Sequence, residues 1–515
     1  MLDHKFLNAY QQNIDMVMNM SSHELHLRRF IAHEEVGMGQ NQFRCFYLAF
    51  HPVNGSLIVH EGHSGRVYMD GRLIYGYELI GRPPRAGGDT HGAITWSRDH
   101  VFFGGWMKAP PGLLIADDRT LAKQDMREKY SHIHAIDDGG RVELIWSRKW
   151  DDKLPPNHWY GEVTDLLYDG HEDTIYFTRA DGHAELGLWR INLSSRKAEW
   201  IVQNRTVYKM EMKDDKIFAT LFNPAHMEKS AIAIFDTLRN ESRIVEEFDF
   251  ALEPGKKVSM YRDGGQIVQL QNRLIAFYGG SMIVVDPYRD RYTLYPFLEV
   301  AGSKENVVIP NPERPLYIPG LRTQKIYPMG VPIIAANPYE GSTEPFHKTT
   351  FGMILRIDSV SPQIISSAGF ISGMATDGEY AYFGASYANH CPHYTYRSGD
   401  GGVFAVPIKD LFAKPWNPIR LWIYDGMYSQ ESSGLFGWFG GIPLKGFEKK
   451  ILRIYTSKET KIRIAEYTML GISIEEDVAV KTGWNTISLE NYYDIVAFKI
   501  LENVEKVLAE IILEP

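Results

Sequence analysis

The chain has 515 residues, a formal net charge of −9, 13% aromatic residues, 45 glycines and two cysteines. The acidic balance, with no Lys/Arg-rich run, excludes the electrostatic footprint of a nucleic-acid binder, and Cys45 and Cys391 alone exclude a disulfide framework. The length exceeds one ordinary core, and the aromatic and glycine content favours many short strands joined by tight turns over helices.

Residues 1–40 read as a short, partly helical extension in which Met16, Met18, Met20, Leu25 and Leu27 can pack against a neighbouring sheet. No apolar run there is long enough for a signal peptide or a membrane span, so a cytoplasmic protein with no membrane partner is expected.

From residue 41 a four-strand grammar repeats. FYLAFHPVNG, SLIVHEG, GRVYMDG and RLIYGYEL form the first unit. A second opens at 87–106 with GGDTHGAITWSRDHVFFGGW, where AITW and VFFGG flank a polar SRDH turn, and continues through YSHIHAIDDGGRVELIW. The third is the plainest: WYGEVTDLLYDG, TIYFTRADG, LGLWRINLSSR and KAEWIVQ. VYKMEMKDD, KIFATLF, AIAIFDTLRNE and SRIVEEF follow, then GQIVQLQ, RLIAFYGG, SMIVVDPYRD and RYTLYPF. A looser unit spans 314–367, and the last reads GMATDGE, YAYFGAS, GVFAVPIKD and IRLWIY.

Seven such units predict an all-β fold, a seven-bladed β-propeller over 41–425, whose radial closure leaves few strand edges exposed. Two β-sandwich domains are the alternative, disfavoured because the strand order repeats without change. From 426 the grammar stops. GLFGWFGGIPL, reading as an exposed apolar linker suited to docking, leads into alternating strands such as KKILRIYTS and TKIRIAEYTM, which predict a C-terminal β-sandwich over 426–515 that also offers a route to a homo-oligomer.

In a propeller the loops entering each first strand share one face with those joining second to third strands. This rule assigns His60, His63, His91, His132, His134, His158, His183, His226, His347, His390 and His393 to one face, and only His51, His100 and His171 to the other. Of His132 and His134, one is expected to face a sheet core and the other to be functional. The populated face also has the long loops 104–131, 336–350 and 384–402, and loops on a rigid scaffold carry function.

The catalytic candidates there are His91, His183, Glu162, Asp89 and Tyr394, groups able to move a proton. Candidate ligand contacts are His63, Arg179, Trp106, Trp159, Tyr160 and Arg397, in which aromatic walls meet cationic donors. Each has a structural reading as well: an acidic residue opening a first strand, as Asp89 and Glu162 do, commonly ties neighbouring backbones together, and His183 in ADGHAELG can cap a tight loop. Trp146, Trp189 and Trp200 read as packing between sheets.

His390 and His393 are the metal candidates, for a divalent ion such as Zn²⁺ or Mn²⁺, with structural Ca²⁺ a further cofactor of this kind; no second close pair completes a metal signature. The constellation points to an oligosaccharide or other small-molecule ligand, most specifically an acidic sugar polymer, under lyase-type or hydrolase chemistry. The alternative is a non-catalytic propeller serving as an interaction or assembly platform.

The run from GGDTHGAITWSRDHVFFGGWMKAP through YSHIHAIDDGGRVELIW and HWYGEVTDLLYD to RADGHAELGLWRINL resembles an archaeal family, domain of unknown function 2139. The tail ILRIYTSKETKIRI, GWNTISL and YYDIVAF is similar to that of its members. The resemblance implies a propeller and a thermophilic archaeal source, and no activity. His91 departs from the family's pattern, which places a general catalytic role for it behind those of His183 and Glu162.

Overall fold

The structure is a computed structural model describing residues 45–61, 66–76, 87–89, 92–108, 113–114, 123–221, 228–300, 317–338, 352–368, 370–386, 402–431 and 433–515. The N-terminal extension expected at 1–40 lies outside these residues. Apart from short 3-10 turns such as Pro328–Gly330 and Ile408–Phe412, the described chain is strands and loops. The fold is all-β, built from many antiparallel sheets.

The first sheet runs Cys45–Phe50, Leu57–Glu61, Arg66–Met69 and Arg72–Gly76, each strand paired with the next. The second contains Gly87–Asp89, Ile94–Trp96, Val101–Lys108, Lys129–Ile136 and Val142–Lys149. The third, Glu162–Asp169, Thr174–Ala180, Gly187–Asn192 and Ala198–Gln203, and the fourth, Val207–Lys213 to Glu241–Val245, again follow chain order. The fifth, Gly264–Leu270 to Arg291–Pro296, gains Phe248–Phe250, which lies parallel to its last strand and was not anticipated. The sixth spans Tyr317–Pro319 to Pro362–Ala368, and the seventh holds Phe370–Thr376, Tyr380–Ser386 and Gly402–Pro407.

These strands are buried on both sides, because successive side chains point to opposite faces of a sheet. Phe103 packs with Tyr47 and Ile58 of the first sheet, while Phe102 packs with Val163 and Phe177 of the third. Met210 and Phe235 meet Tyr176 and Leu188 in the next seam, and Ile354 meets Met374 and Phe383 further on. Leu48 and Val59 of the first sheet pack against Tyr382 and Val403 of the seventh. Each fully buried apolar side chain contributes about 1.5–3 kcal/mol.

The last four-strand unit departs from expectation. IRLWIY does not complete the seventh sheet: strand Ile419–Tyr428 pairs antiparallel with Val504–Glu514 in a sheet that also holds Lys449–Thr456 and Gly483–Ser488, here called the outer C-terminal sheet. An inner C-terminal sheet orders Phe439–Pro443, Ile495–Ile500, Thr460–Thr468 and Gly471–Val480. The boundary expected at 425/426 therefore falls inside one strand. An alternating strand fits any open edge whose register suits it, so its local pattern cannot name its partner.

GLFGWFGG is also corrected. Leu435, Trp438 and Phe439 are buried, Trp438 to 2% exposure, in a core shared by the fifth sheet and both C-terminal sheets. Glu299 and Gly440 exchange backbone hydrogen bonds of 2.8 Å, and Arg262 reaches both the Glu299 carboxylate at 3.1 Å and the Gly434 carbonyl at 3.3 Å. The segment is not exposed: it lies in the seam between the fifth sheet and the C-terminal sheets, covered by another part of the same chain.

Candidate ligand site at the ends of the second and third sheets

Two loops at one end of the third sheet make the described part of the site: HWYGE, entering Glu162–Asp169, and ADGHAELG, joining Thr174–Ala180 to Gly187–Asn192. Glycine explains why they interlock. A Cβ on Gly182 would lie 2.3 Å from the Gly161 Cα, and Gly161 itself has φ +83°, a conformation that side chains disfavour. With the backbones in contact, the His183 N–H donates to the Trp159 carbonyl at 2.9 Å, and the Trp159 N–H is directed at His183 Nδ1 at 3.4 Å. The His158 and His183 rings stack at 4.2 Å and 10°. His183 is exposed and His158 half-buried.

The ADGHAELG loop is fixed from below. The Trp189 and Trp200 indole N–H groups donate to the carbonyls of Glu185 and Leu186, each at 3.1 Å, and the two indoles stack at 5.3 Å. Their packing role matches expectation. The Glu185 carboxylate takes Arg148 in a two-pronged contact at 2.8 and 3.0 Å, and Arg179 Nη1 at 3.3 Å. Burial alone would raise the Glu185 carboxyl, yet Arg148 and then Arg179 hold it below its ordinary value. Arg148 also lies 3.7 Å over the Tyr160 ring, whose hydroxyl donates to Asp151. Burial, with that bond, pushes the Tyr160 phenol up to about 12.

Arg179 is not the ligand clamp the sequence suggested. It is 0% exposed, donates to the Tyr160 carbonyl and to Glu185, and sits between Trp146 and Trp189 at 5.4 and 5.3 Å. Burial lowers its guanidinium to about 10. It organises the loops from within.

Glu162 is likewise buried, at 1% exposure, at the start of its strand. Three positions on, Asp165 ties two neighbouring sheets together, accepting from the Met210 N–H at 2.8 Å. Lys209, fully buried, approaches Asp165 at 3.8 Å and donates to the Thr164 carbonyl at 2.9 Å.

From the second sheet come Trp106, half-buried, and Lys129, whose Nζ lies 3.4 Å from the Trp159 ring centroid and 4.3 Å from that of Trp106. Ser131 donates to the Gly161 carbonyl, joining the two sheets at this point. The structure thus brings together Trp106, Trp159, Tyr160, Glu162, Arg179 and His183 from the expected set. Lys129, Arg148 and Glu185 were missed. Glu185 lay within the quoted ADGHAELG motif, but Lys129 had no local signal.

His60, His132 and His134 are not at this mouth. His60 lies inside Leu57–Glu61 and the other two inside Lys129–Ile136, all buried near the seam of the first and second sheets. Residues two apart on a strand share a face, so His132 and His134 both point into the seam, with Nδ1 atoms 3.0 Å apart. Tyr75 meets His134 Nε2 at 3.1 Å, and Tyr47 stacks on His60. Burial, then the neighbouring imidazoles, drives His132 well below its ordinary value, and burial takes His134 down to about 3. Among the described histidines, His158 and His183 keep the predicted placement.

His63, His91, His226, His347, His390, His393, Tyr394 and Arg397 lie outside the described residues, as does the Asp89 side chain. Among the described residues no group of three His, Cys, Asp or Glu could hold a metal ion, and no helix is long and apolar enough to cross a membrane.

The fold is that of an all-β protein of many antiparallel sheets, with polar and aromatic side chains gathered at one sheet end. Residues 57–311 match the family described as an uncharacterized protein conserved in archaea, domain of unknown function 2139. No curated protein matches it. Among solved structures it is similar to an oligogalacturonate lyase in complex with manganese, at 10% identity, covering 72% of this chain and 84% of that one with a TM-score of 0.35. An exo-beta-1,3-galactanase from Phanerochaete chrysosporium gives 9% identity, 82% and 95% coverage and a TM-score of 0.31. BamB from Moraxella catarrhalis gives 14%, 70% and 95%, and 0.34. Likeness at this level bears on neither the site nor a reaction.

Proposed function

We propose that the seven successive sheets are the blades of a seven-bladed propeller carrying a C-terminal sandwich that begins near Ile419. The packing of Leu48 and Val59 against Tyr382 and Val403 supports closure of that ring. We further propose that the protein binds an acidic carbohydrate at the end bearing His158 and His183.

One observation carries the ligand reading: the Lys129 ammonium lies 3.4 Å from the Trp159 ring, and the same residue's backbone holds His183. Trp159 is itself 3% exposed beneath Lys129, so the indole that can meet the apolar face of a pyranose is half-buried Trp106, and the ammonium between the two rings suits a ring carboxylate. With Nδ1 accepting from Trp159, a neutral His183 carries its proton on Nε2, where it donates to a sugar oxygen. Of the two chemistries expected, elimination suits these groups better. Lys129 pairs with the carboxylate, and His158, stacked on His183, takes the adjacent proton as the double bond forms and the C–O bond breaks; that proton returns through solvent to the departing oxygen, which the His183 Nε2–H holds by a hydrogen bond.

The test is calorimetric titration of the full chain with a uronic-acid oligosaccharide and its neutral counterpart, beside an absorbance assay for the unsaturated product. Lys129→Ala should weaken acidic-sugar binding at least tenfold. His183→Ala should slow product formation more than it weakens binding. Wild-type protein that neither binds nor cleaves any of these saccharides would reject the reading in favour of a non-catalytic platform.

A further inference from the structure

The solvent face of the outer C-terminal sheet holds a second constellation, formed by residues distant from the loops above. Trp422 and Trp484 stand on the two edge strands of that sheet, yet their ring centroids are only 6.3 Å apart, inclined at 62°. Strands spaced by about 4.8 Å separate their backbones by roughly 14 Å, so both indoles must reach inward across the middle strands. Tyr455 joins them, 5.8 Å from Trp484 at 63°.

Beneath the rings lies a built polar group. The Glu510 side chain, 0% exposed, accepts from Arg420 at 2.7 and 3.1 Å and from Arg453 at 2.6 Å. The Arg453 guanidinium is 5.0 Å from the Trp484 ring centroid. The two guanidiniums share the one Glu510 carboxylate, Asp425 lies on the same face through its pairing with Leu508, and both arginine side chains remain 38% exposed. Packing alone accounts for the buried Glu510 but not for Trp484, which stays 48% exposed beside polar Thr486 and Ser488.

We propose that this face is a second binding site for an acidic oligosaccharide, with Trp484, Trp422 and Tyr455 stacking on pyranose rings and Arg420 and Arg453 meeting a ring carboxylate. A second copy of the chain fits less well. Three rings offer far less than the roughly 800 Å² per partner that a stable interface buries. The proposal shares its ligand class with the reading above but none of its residues, so the two can fail separately.

Calorimetric titration of the full chain with an oligomer of galacturonic acid, and with a galactose oligomer of equal length, tests it. Trp484→Ala should abolish one class of binding or weaken it at least tenfold, while Trp484→Phe retains it and Lys129→Ala leaves it unchanged. The neutral oligomer should bind this class at least tenfold more weakly. A Trp484→Ala isotherm that superimposes on wild type overturns the proposal, as does equal affinity for the two oligomers. So does a change from dimer to monomer in sedimentation with saccharide binding intact, which would assign the face to a second copy. Loss of binding in Lys129→Ala alone would sink this second site while sparing the first.

Discussion

Gln324 is hydrogen-bonded to both backbone groups of Leu48, 276 residues away: its Oε1 accepts from the Leu48 N–H at 2.7 Å, and its Nε2 donates to the Leu48 carbonyl at 2.8 Å. The same Oε1 accepts from the Met374 N–H at 2.8 Å. One buried carboxamide from the sixth sheet thus ties the first sheet to the seventh. Gln324→Leu removes three hydrogen bonds and leaves buried backbone groups unmet. A loss of about 3 kcal/mol is expected, at about 1 kcal/mol for each bond, read from the urea midpoint. A change under 1 kcal/mol would mean the contact does not hold the sheets together.

The clasp between HWYGE and ADGHAELG depends on two backbones in contact. Gly182→Ala should cost about 1–3 kcal/mol by overpacking, because the added carbon would meet the Gly161 backbone. Thermal melting checks the stability, and any saccharide binding at Lys129 and His183 should weaken with it. A fully stable variant with unchanged binding would show that the loops are not locked in this way.

Glu185 compensates a guanidinium that has no access to water. Glu185→Ala leaves Arg179, 0% exposed, without its carboxylate. Charged hydrogen bonds contribute about 1.5–3 kcal/mol each, so a loss of about 2 kcal/mol or more is expected in chemical denaturation. Glu199→Ala, which breaks a pair on the exposed side of the same sheet, should change stability by less than about 1 kcal/mol.

The His132–His134 pair makes stability fall in mild acid. Both rings are held neutral when folded, His134 down to about 3, whereas an unfolded histidine titrates near about 6.5. Between those values the unfolded chain binds more protons, so stability is complete above about pH 6.5 and declines as pH falls toward 3. The slope approaches about 1.4 kcal/mol per pH unit for each such ring. Denaturation at pH 7.5 and 5 measures it, above the range where carboxylates dominate. His134→Phe, which keeps the stack on Phe103, should flatten the dependence. An equally steep curve in that variant would place the acid sensitivity elsewhere.

Most strands were legible because their signals are local: β-branched and aromatic runs bounded by turns such as MDGR, KDD and PYRD. The site was legible in part. His183, Trp159, Trp106 and Tyr160 fell where the face rule put them, since strand direction alone decides which end a loop occupies. His60, His132 and His134 did not, because the rule was applied to residues inside strands, whose direction follows the period of two rather than the loop.

The sequence by itself determined an all-β chain of short antiparallel sheets and the two glycine-bearing loops that meet at one end, because turn chemistry and side-chain alternation act over a few residues. Only the tertiary structure decided that Ile419–Tyr428 joins the C-terminal strand, that GLFGWFGG is a buried seam, that Arg179 is spent on Glu185 and Tyr160, and that Lys129 stands between Trp106 and Trp159. Strands buried on both faces carry apolar residues in either direction, and which neighbour covers each face is settled by contacts between residues far apart along the chain.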